Sequence, residues 1–588
     1  MNSSHGTTVA TDQEIAACAI AALMAVAVGV AMGAAHLAAV FAHSPRPTAN
    51  PIVFVAQLAR GRFAWTGAAS GYAAVLGTLA VSIGVWVISA LARRKPPTHV
   101  DRRALHLTRS QEIARYTTKP PAHLYCAPGL PIGKVLPGGR QLVRATWEDQ
   151  VIHIAGTRTG KTTSTAIPAV LAAPGAVVVT SNKRDIVDAT RGVRESPDRG
   201  PIWLFDPQAL AGGQPTWWWD PLSYVTNVRT ARQLATIWAT SGRDADARPD
   251  PYFDRAGQEL LSMLLLAAAR GRRPITDVYE WVANPDDDMP RELLAEYGDW
   301  IWHRGLTMTQ RLPEKQRAGV YGTAATFIAW AADPDVLAWI ADPGGFRPAF
   351  DPHAFVEGAN ATLYSISREG EGSSAPLTTA LTAAVLEAAE ERASTFPGGR
   401  LPVPLTAILD EAANICRWHQ LPNIVSHYGS RAIVLVIILQ SWSQGIRAWG
   451  QHGMRAMWGA VNLRVYGGGV ADTEFLKSLS DLCGQWDRPM RSRSHSYRMG
   501  PSTSLAHHRE EVFDVASLGA LPPGRALVLM SGARPVLVAA QPWMAGPHAE
   551  AVRASIARFE PGSAADPVSD SASFIPYPDW LSEEAPME

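Results

Sequence analysis

Residues 151–163 read VIHIAGTRTGKTT, and no other stretch narrows the possible folds as much. Four residues with strand-forming character lead into Ala155-x-x-x-x-Gly160-Lys161-Thr162, and a helix-forming stretch follows. Strand, glycine-bearing loop and helix, in that order, make a phosphate-binding loop. Gly156 and Gly160 permit turns that aim consecutive N–H groups at phosphate oxygens, beside the positive end of a helix dipole. The expected nucleotide-binding set is Ala155, Gly156, Thr157, Arg158, Thr159, Gly160, Lys161, Thr162 and Thr163. Lys161 would reach the β- and γ-phosphates, and Thr162 would offer its hydroxyl to Mg²⁺.

Such a loop needs a second strand carrying a carboxylate, to hold the metal and position water. LTAILDEA supplies one: the apolar run Leu405–Leu409 ends in Asp410 and Glu411. Asp410 is the expected metal ligand through its water shell, and Glu411 the base that polarises the attacking water. The two motifs lie 410 − 161 = 249 residues apart, far more than one strand–helix–strand unit, so an inserted domain must separate them. A third strand, in IVLVIILQSWSQ, ends at Gln440. Strand C-termini face the ligand crevice in a parallel sheet. That amide is either a γ-phosphate sensor or an ordinary strand-end side chain.

Two charge-free stretches precede the loop, Ile15–Ala35 and Trp65–Ala92, each long enough to cross a bilayer. We expect transmembrane spans over about 15–37 and 65–92, together a hairpin occupying residues 1–95. The first stretch lacks the basic leader of a cleaved signal peptide. Arg93, Arg94, Lys95, Arg102, Arg103, Arg109, Arg115 and Lys119 follow the second span, against Asp101 and Glu112. Positive charge marks the cytoplasmic side, which places the bulk of the chain and both termini there. The rule is only partly obeyed, because the short outer loop carries Arg46, Arg60 and Arg62. Small-xxx-small steps at Gly29–Gly33 and Gly67–Gly71 offer close helix packing.

The soluble remainder divides by pattern. A basic connector with turn punctuation covers 96–145, a first nucleotide-binding part 146–225, an all-α insertion 226–355, a second nucleotide-binding part 356–555 and an acidic, disordered tail 556–588. Strand-like runs are Ala176–Thr180, Ile202–Phe205, Thr362–Ile366, Ala432–Leu439, Asn462–Tyr466 and a terminal hairpin of Arg525–Met530 with Pro535–Ala539. The insertion contains LLSMLLLAAA and no alternating strand pattern. With 53 basic and 53 acidic residues the chain is not a globally basic nucleic-acid binder, so any such contact is a local patch. Its four cysteines lack paired spacing, which excludes a cysteine zinc site.

Taken in order, these segments resemble the type IV coupling proteins of the TraG type, membrane-anchored ATPases of conjugation and type IV secretion. The likeness is carried by GKTTSTAIPAVLAAPGAVVVT with its internal Pro168, GPIWLFDP, WWWDPL, PYFDRAGQELLSMLLLAAA, LDEAANI, LQSWSQ, NLRVYGGGVADTEFLKSLSDLCG and RALVLMSGARPVLVAAQPWM. Two departures stand out: SNKRD replaces the family's Asp-Pro-Lys-Gly-Glu and keeps Lys183 in place, and Arg158-Thr159 stands where Gly-Ser is common. The resemblance implies an α/β, RecA-like P-loop NTPase domain with an all-α insertion behind a two-helix transmembrane hairpin. ATP and Mg²⁺ are the implied cofactors, and a homo-hexamer in the cytoplasmic membrane the implied assembly. Relaxase, secretion-channel proteins and DNA, single-stranded in the first instance, are the implied partners. Hexameric sites of this kind borrow an arginine from the neighbouring subunit. Arg431 is the first candidate and Arg464 the second. Functional alternatives are a double-stranded DNA pump, a protein-secretion ATPase and a non-catalytic membrane receptor. The basic loop RPMRSRSHSYRMG (Arg488, Arg491, Arg493, Arg498) either touches DNA phosphates or is simply solvated. The Trp217–Trp219 cluster reads as core packing before a base-stacking platform.

Overall fold

A computed structural model describes residues 12–92, 98–107, 112–117, 129–139, 141–195, 200–241, 250–358, 360–370, 372–496 and 500–561; within 12–20, 87–92 and 489–507 it describes backbone only. The acidic tail beyond 561, the cations Arg93, Arg94, Lys95, Arg109 and Lys119, and Arg498 lie outside the described residues. The chain forms two compact units, Met1–Thr98 and His99–Glu588.

The first unit is helical: Asp12–Phe41, Pro51–Ala59 and Gly67–Ala92. Two segments, Ala21–Phe41 and Gly67–Trp86, are long and apolar enough to cross a membrane. Burial separates them from core helices of a soluble protein, since Leu23, Val81 and Trp86 are 77%, 66% and 71% exposed. The long helices pack on one another, with Ala34, Ala35, Ala38 and Ala69 buried. Of the four glycines in the small-residue steps, only Gly33 meets the opposite helix: a Cβ there would stand 3.2 Å from Leu76 Cδ1.

The second unit is built on one sheet. Its strands are β1 (Leu130–Val135), β2 (Leu142–Ala145), β3 (Val151–Ile154), β4 (Val177–Ser181), β5 (Ile202–Phe205), β6 (Thr362–Ile366), β7 (Leu405–Leu409), β8 (Ile433–Leu439) and β9 (Leu463–Tyr466). A separate two-stranded hairpin, β10 (Gln485–Ser496) and β11 (Gly500–Glu511), comes next, before β12 (Arg525–Met530) and β13 (Val536–Ala540) return to the sheet. The eleven strands run in the order β2-β1-β13-β12-β9-β3-β8-β7-β4-β6-β5. From β9 to β5 every pairing is parallel, and from β9 outward to β2 every pairing is antiparallel. Parallel strands must be covered on both faces, which explains their unbroken Val/Ile/Leu runs. Side-chain alternation then splits each run between two cores. Ile152, Ile154, Leu435, Ile437 and Leu439 face one, while Val151, Val434, Val436 and Ile438 face the other.

Between β5 and β6 the described residues form helices, among them Val228–Ser241, Phe253–Gly271 and Glu314–Phe327, and no sheet strand. The entry and exit of this insertion are zipped together, as Trp218 bridges Ala349 and the Phe350 amide donates to Trp218. Trp217 and Trp219 are buried, and the Trp217 ring lies 5.2 Å from Phe350 and 5.7 Å from Trp339, so the cluster is core. The structure corrects two expectations. The connector contributes β1 and β2 to the sheet rather than turns alone, and the described residues of RPMRSRSHSYRMG lie in the β10 and β11 strands.

Candidate nucleotide site

The phosphate loop leaves the C-terminal end of β3, between β9 and β8. The Ala155 amide donates to Leu439 on β8, and the Gly156 amide to Gly468 beyond β9, so the start of the loop is tied to both neighbours. Arg158 (φ 58°) and Gly160 (φ 91°) then take left-handed conformations. The amides of Thr157, Arg158, Thr159 and Gly160 donate to no described protein acceptor. Four consecutive open donors ahead of a helix form a nest for an anion. The helix itself starts irregularly. Residues Thr162–Ala166 make a π-type turn in which the Ile167 amide reaches Thr162. Pro168 one residue further on has no N–H and would crowd a regular turn, so the widened turn removes the conflict.

Asp410 and Glu411 stand at the end of β7, with β8 between them and the loop. Two strand spacings are about 10 Å, a gap that a lysine and a carboxylate can close across a bound triphosphate. Lys161 is 8% exposed, Asp410 4% and Glu411 7%. Lys161 Nζ donates to the loop's own carbonyls, Ala155 at 2.7 Å and Gly156 at 3.1 Å. Burial pulls its pKa below the usual lysine value; Glu411 and Asp410 oppose that pull, and Lys183 adds to it. Lys161 therefore lies near enough to both carboxylates to feel their charge. Asp410 Oδ2 accepts from Ser181 Oγ at 3.4 Å, and burial, with Glu411 and Asp185 beside it, raises the carboxyl to about 7. Glu411 takes a left-handed backbone (φ 51°), which turns its side chain toward β8. There Gln440 Nε2 donates to Glu411 Oε1 at 2.7 Å. Asp410 Oδ1 and Glu411 Oε2 are buried with no protein partner. Buried orphan acceptors are rare in folded proteins, and Asp410 Oδ1 is of the kind that would suit a divalent cation.

The structure thus brings together Lys161, Asp410, Glu411 and Gln440. Thr163 spends its hydroxyl on the Gly160 carbonyl, whereas that of Thr162 bonds to no described residue. Arg431 is not in the cluster. It precedes the far end of β8, roughly 23 Å away at about 3.3 Å per residue, and pairs with Glu390 at 3.0 Å. Arg464 donates to the carbonyls of Trp458, Gly459 and Val461. Ser181, at the end of β4, and Asp185, which opens the helix after it, were not singled out by the sequence; their only signal is their place in SNKRD. In the hairpin, Arg488 pairs with Glu510 at 3.0 Å.

Residues 404–523 match the family described as the TraM recognition site of TraD and TraG. A stretch of 215 residues is 26% identical to the conjugal transfer protein TraG of Escherichia coli, covering 33% of this chain and 32% of that protein. The fold is similar to that of the bacterial conjugative coupling protein TrwB. The sulphate-bound trigonal form gives a TM-score of 0.52 at 17% identity over 74% of this chain and 93% of that one. The TrwB complex with ADP and Mg²⁺ gives 0.50 at 16% identity, with the same coverage. Over these stretches, and in fold, the chain is similar to the type IV coupling proteins. The matched family region starts at β7 and runs through Asp410, Glu411, Gln440 and the β10–β11 hairpin. The chain spans about a third of the curated relative's length.

Proposed function

We propose that this protein is a type IV coupling protein, a two-pass ATPase of the cytoplasmic membrane that uses ATP hydrolysis to move DNA, or a relaxase–DNA complex, into a type IV secretion channel. The observation that carries the proposal is the meeting of four open loop amides with Lys161 and two orphaned carboxylate oxygens at the carboxyl ends of neighbouring strands. Amides 157–160 and Lys161 bind the phosphates of ATP. Asp410 and Thr162 are the residues that would hold Mg²⁺, which supplies charge neutralisation on the phosphate oxygens. Glu411, fixed by Gln440, accepts the proton of the attacking water as the water oxygen bonds to the γ-phosphorus and the bridging oxygen leaves on ADP. Gln440 thereby links the state of that bond to the helix that starts after Ser441, since its own amide is held by Gln444.

The two apolar helices support the membrane anchor, and the cations after the second support a cytoplasmic motor. The TrwB structures, solved with ADP and Mg²⁺ and with nucleotide analogues, support the choice of cofactor. In a homo-hexamer the arginine in trans would be Arg431, which would have to exchange Glu390 for the neighbour's γ-phosphate. The deciding experiment measures ATP turnover by the full chain in detergent with no DNA, single-stranded DNA and duplex DNA. Stimulation by single strands supports the proposal. Turnover indifferent to DNA sinks the DNA-motor reading, and stimulation by duplex alone replaces it with a duplex pump.

A further inference from the structure

One wall of the phosphate loop plays no part in the chemistry above. After β9 the chain runs through Gly467, Gly468 and Gly469, directly against the loop that follows the adjacent strand β3. The Gly467 amide donates to Ile154, the last residue of β3, and Gly468 accepts the Gly156 amide at 2.9 Å. The two backbones are in contact. A Cβ on Gly156 would lie 2.0 Å from the Gly469 carbonyl oxygen, and one on Gly469 would lie 2.9 Å from Thr159 Cγ2 and 3.3 Å from Gly156 Cα. Gly467 is closed in as well, by Ala155 Cβ and His153 Nε2, each 2.8 Å from where its Cβ would be. Gly468 and Gly469 both adopt left-handed backbone, at φ 83° and 73°. No side chain fits anywhere along this wall without displacing a neighbour.

We propose that Gly467–Gly469 is a mould for the phosphate loop, with Gly468 and Gly469 as positioning residues for the triphosphate. This rests on the nucleotide reading above and adds to it. The Gly468 carbonyl takes the Gly156 amide out of the phosphate nest, which limits the nest to the amides of 157–160. The Gly469 Cα–carbonyl unit backs the loop where Thr159 turns, and Thr159 Oγ1 in turn donates to the Gly156 carbonyl at 2.8 Å. The mould presets the loop curvature before the nucleotide arrives, so binding does not have to order it.

The test is calorimetric titration of the full chain with Mg·ATP. Gly469→Ala should weaken binding about tenfold or more, by pushing the loop through Thr159. Gly532→Ala is the control: it imposes the same left-handed strain (φ 77°) in open space on the β12–β13 turn and should bind as wild type. Adding Thr159→Ser to Gly469→Ala removes the methyl that the new Cβ meets while keeping the hydroxyl, and should recover about threefold. A general loss of packing would show none of that recovery. Should Gly469→Ala not fold, hydrogen exchange on the wild-type chain gives the same answer. Amides 467–470 should gain protection together with 156–160 when Mg·ATP is added. Wild-type affinity in Gly469→Ala, no recovery in the double variant, or protection confined to 156–160 overturns the mould. Undiminished binding by Lys161→Ala would instead overturn the nucleotide reading beneath it.

Discussion

One sheet carries two halves that handle polar groups in opposite ways. Along the antiparallel edge three buried or half-buried groups are closed by partners. Arg525 holds Asp101 through two hydrogen bonds of 2.7 and 3.0 Å, Arg534 holds Glu112 through two more, and Tyr116 donates to Ser531. In the parallel half, the carboxyl end of the strands keeps four open amides, a lysine folded onto its own loop and two carboxylate oxygens without partners. Asp101 on one side and Asp410 on the other are each 4% exposed, so burial does not explain the contrast. Groups that satisfy one another stabilise the fold. Groups left unsatisfied in a rigid frame cost stability until a ligand completes them, and such places are where function resides.

The largest effect should come from the centre of the unsatisfied set. Glu411→Gln should lower ATP turnover about 10²–10⁴-fold while leaving ATP affinity near wild type, because the amide keeps the shape and loses the base. Turnover unchanged in this variant would favour the non-catalytic receptor. Lys161→Ala should weaken ATP binding about a hundredfold and abolish DNA-stimulated turnover, by removing the loop ammonium that reaches the phosphates. On the satisfied edge the outcome should be reversed. Arg525→Ala should cost about 1–3 kcal/mol of stability, since the buried Asp101 loses a bidentate partner, with ATP affinity unmoved. Chemical denaturation beside nucleotide titration separates the two outcomes, and a matching loss of affinity would break the division between the halves.

The same contrast sets what the sequence discloses. The parallel half is legible because burial on both faces forces long apolar runs, and Ile202–Phe205, Thr362–Ile366 and Leu405–Leu409 have the expected bounds. Lys161, Asp410 and Glu411 can be picked out because the proposed chemistry needs those residue types at strand ends. The antiparallel edge is harder. LPIGKV and LVRA are short, contain Pro, Gly, Lys and Arg, and become strands because β13 pairs with the first and the first with the second. The hairpin sequence QWDRPMRSRSHS has no apolar alternation at all, so its pairing with β11 leaves no trace in the pattern. Gly467–Gly469 is equally silent. A run of three glycines announces a turn, whereas its contact with Gly156, 313 positions away by 469 − 156, is a property of strand order. Arg431 shows the opposite limit, since its nearness to Gln440 along the chain spans the full length of β8.

A pH-dependent effect is the most specific to the unsatisfied half. Asp410 ordinarily titrates near 3.8 and in this fold near 7, because burial, Glu411 and Asp185 outweigh Lys161 and the Ser181 hydroxyl. Between those values the folded chain keeps a proton that the unfolded chain releases, so rising pH must destabilise the metal-free protein across that window. Asp410→Asn cannot ionise. Its stability relative to wild type should therefore be near zero at about pH 4, grow in favour of the variant as pH rises, and level off above about pH 7. Arg525→Ala should lose about the same stability across the upper part of that window, because the guanidinium, held up by its bond to Asp101, keeps its charge throughout it. Adding Mg·ATP should then erase the advantage of Asp410→Asn at the upper end, since only the wild-type carboxylate gains from the cation. A gap between Asp410→Asn and wild type that stays flat with pH would mean Asp410 is ionised in the empty pocket, and the two halves of the sheet would differ less than their orphaned oxygens imply.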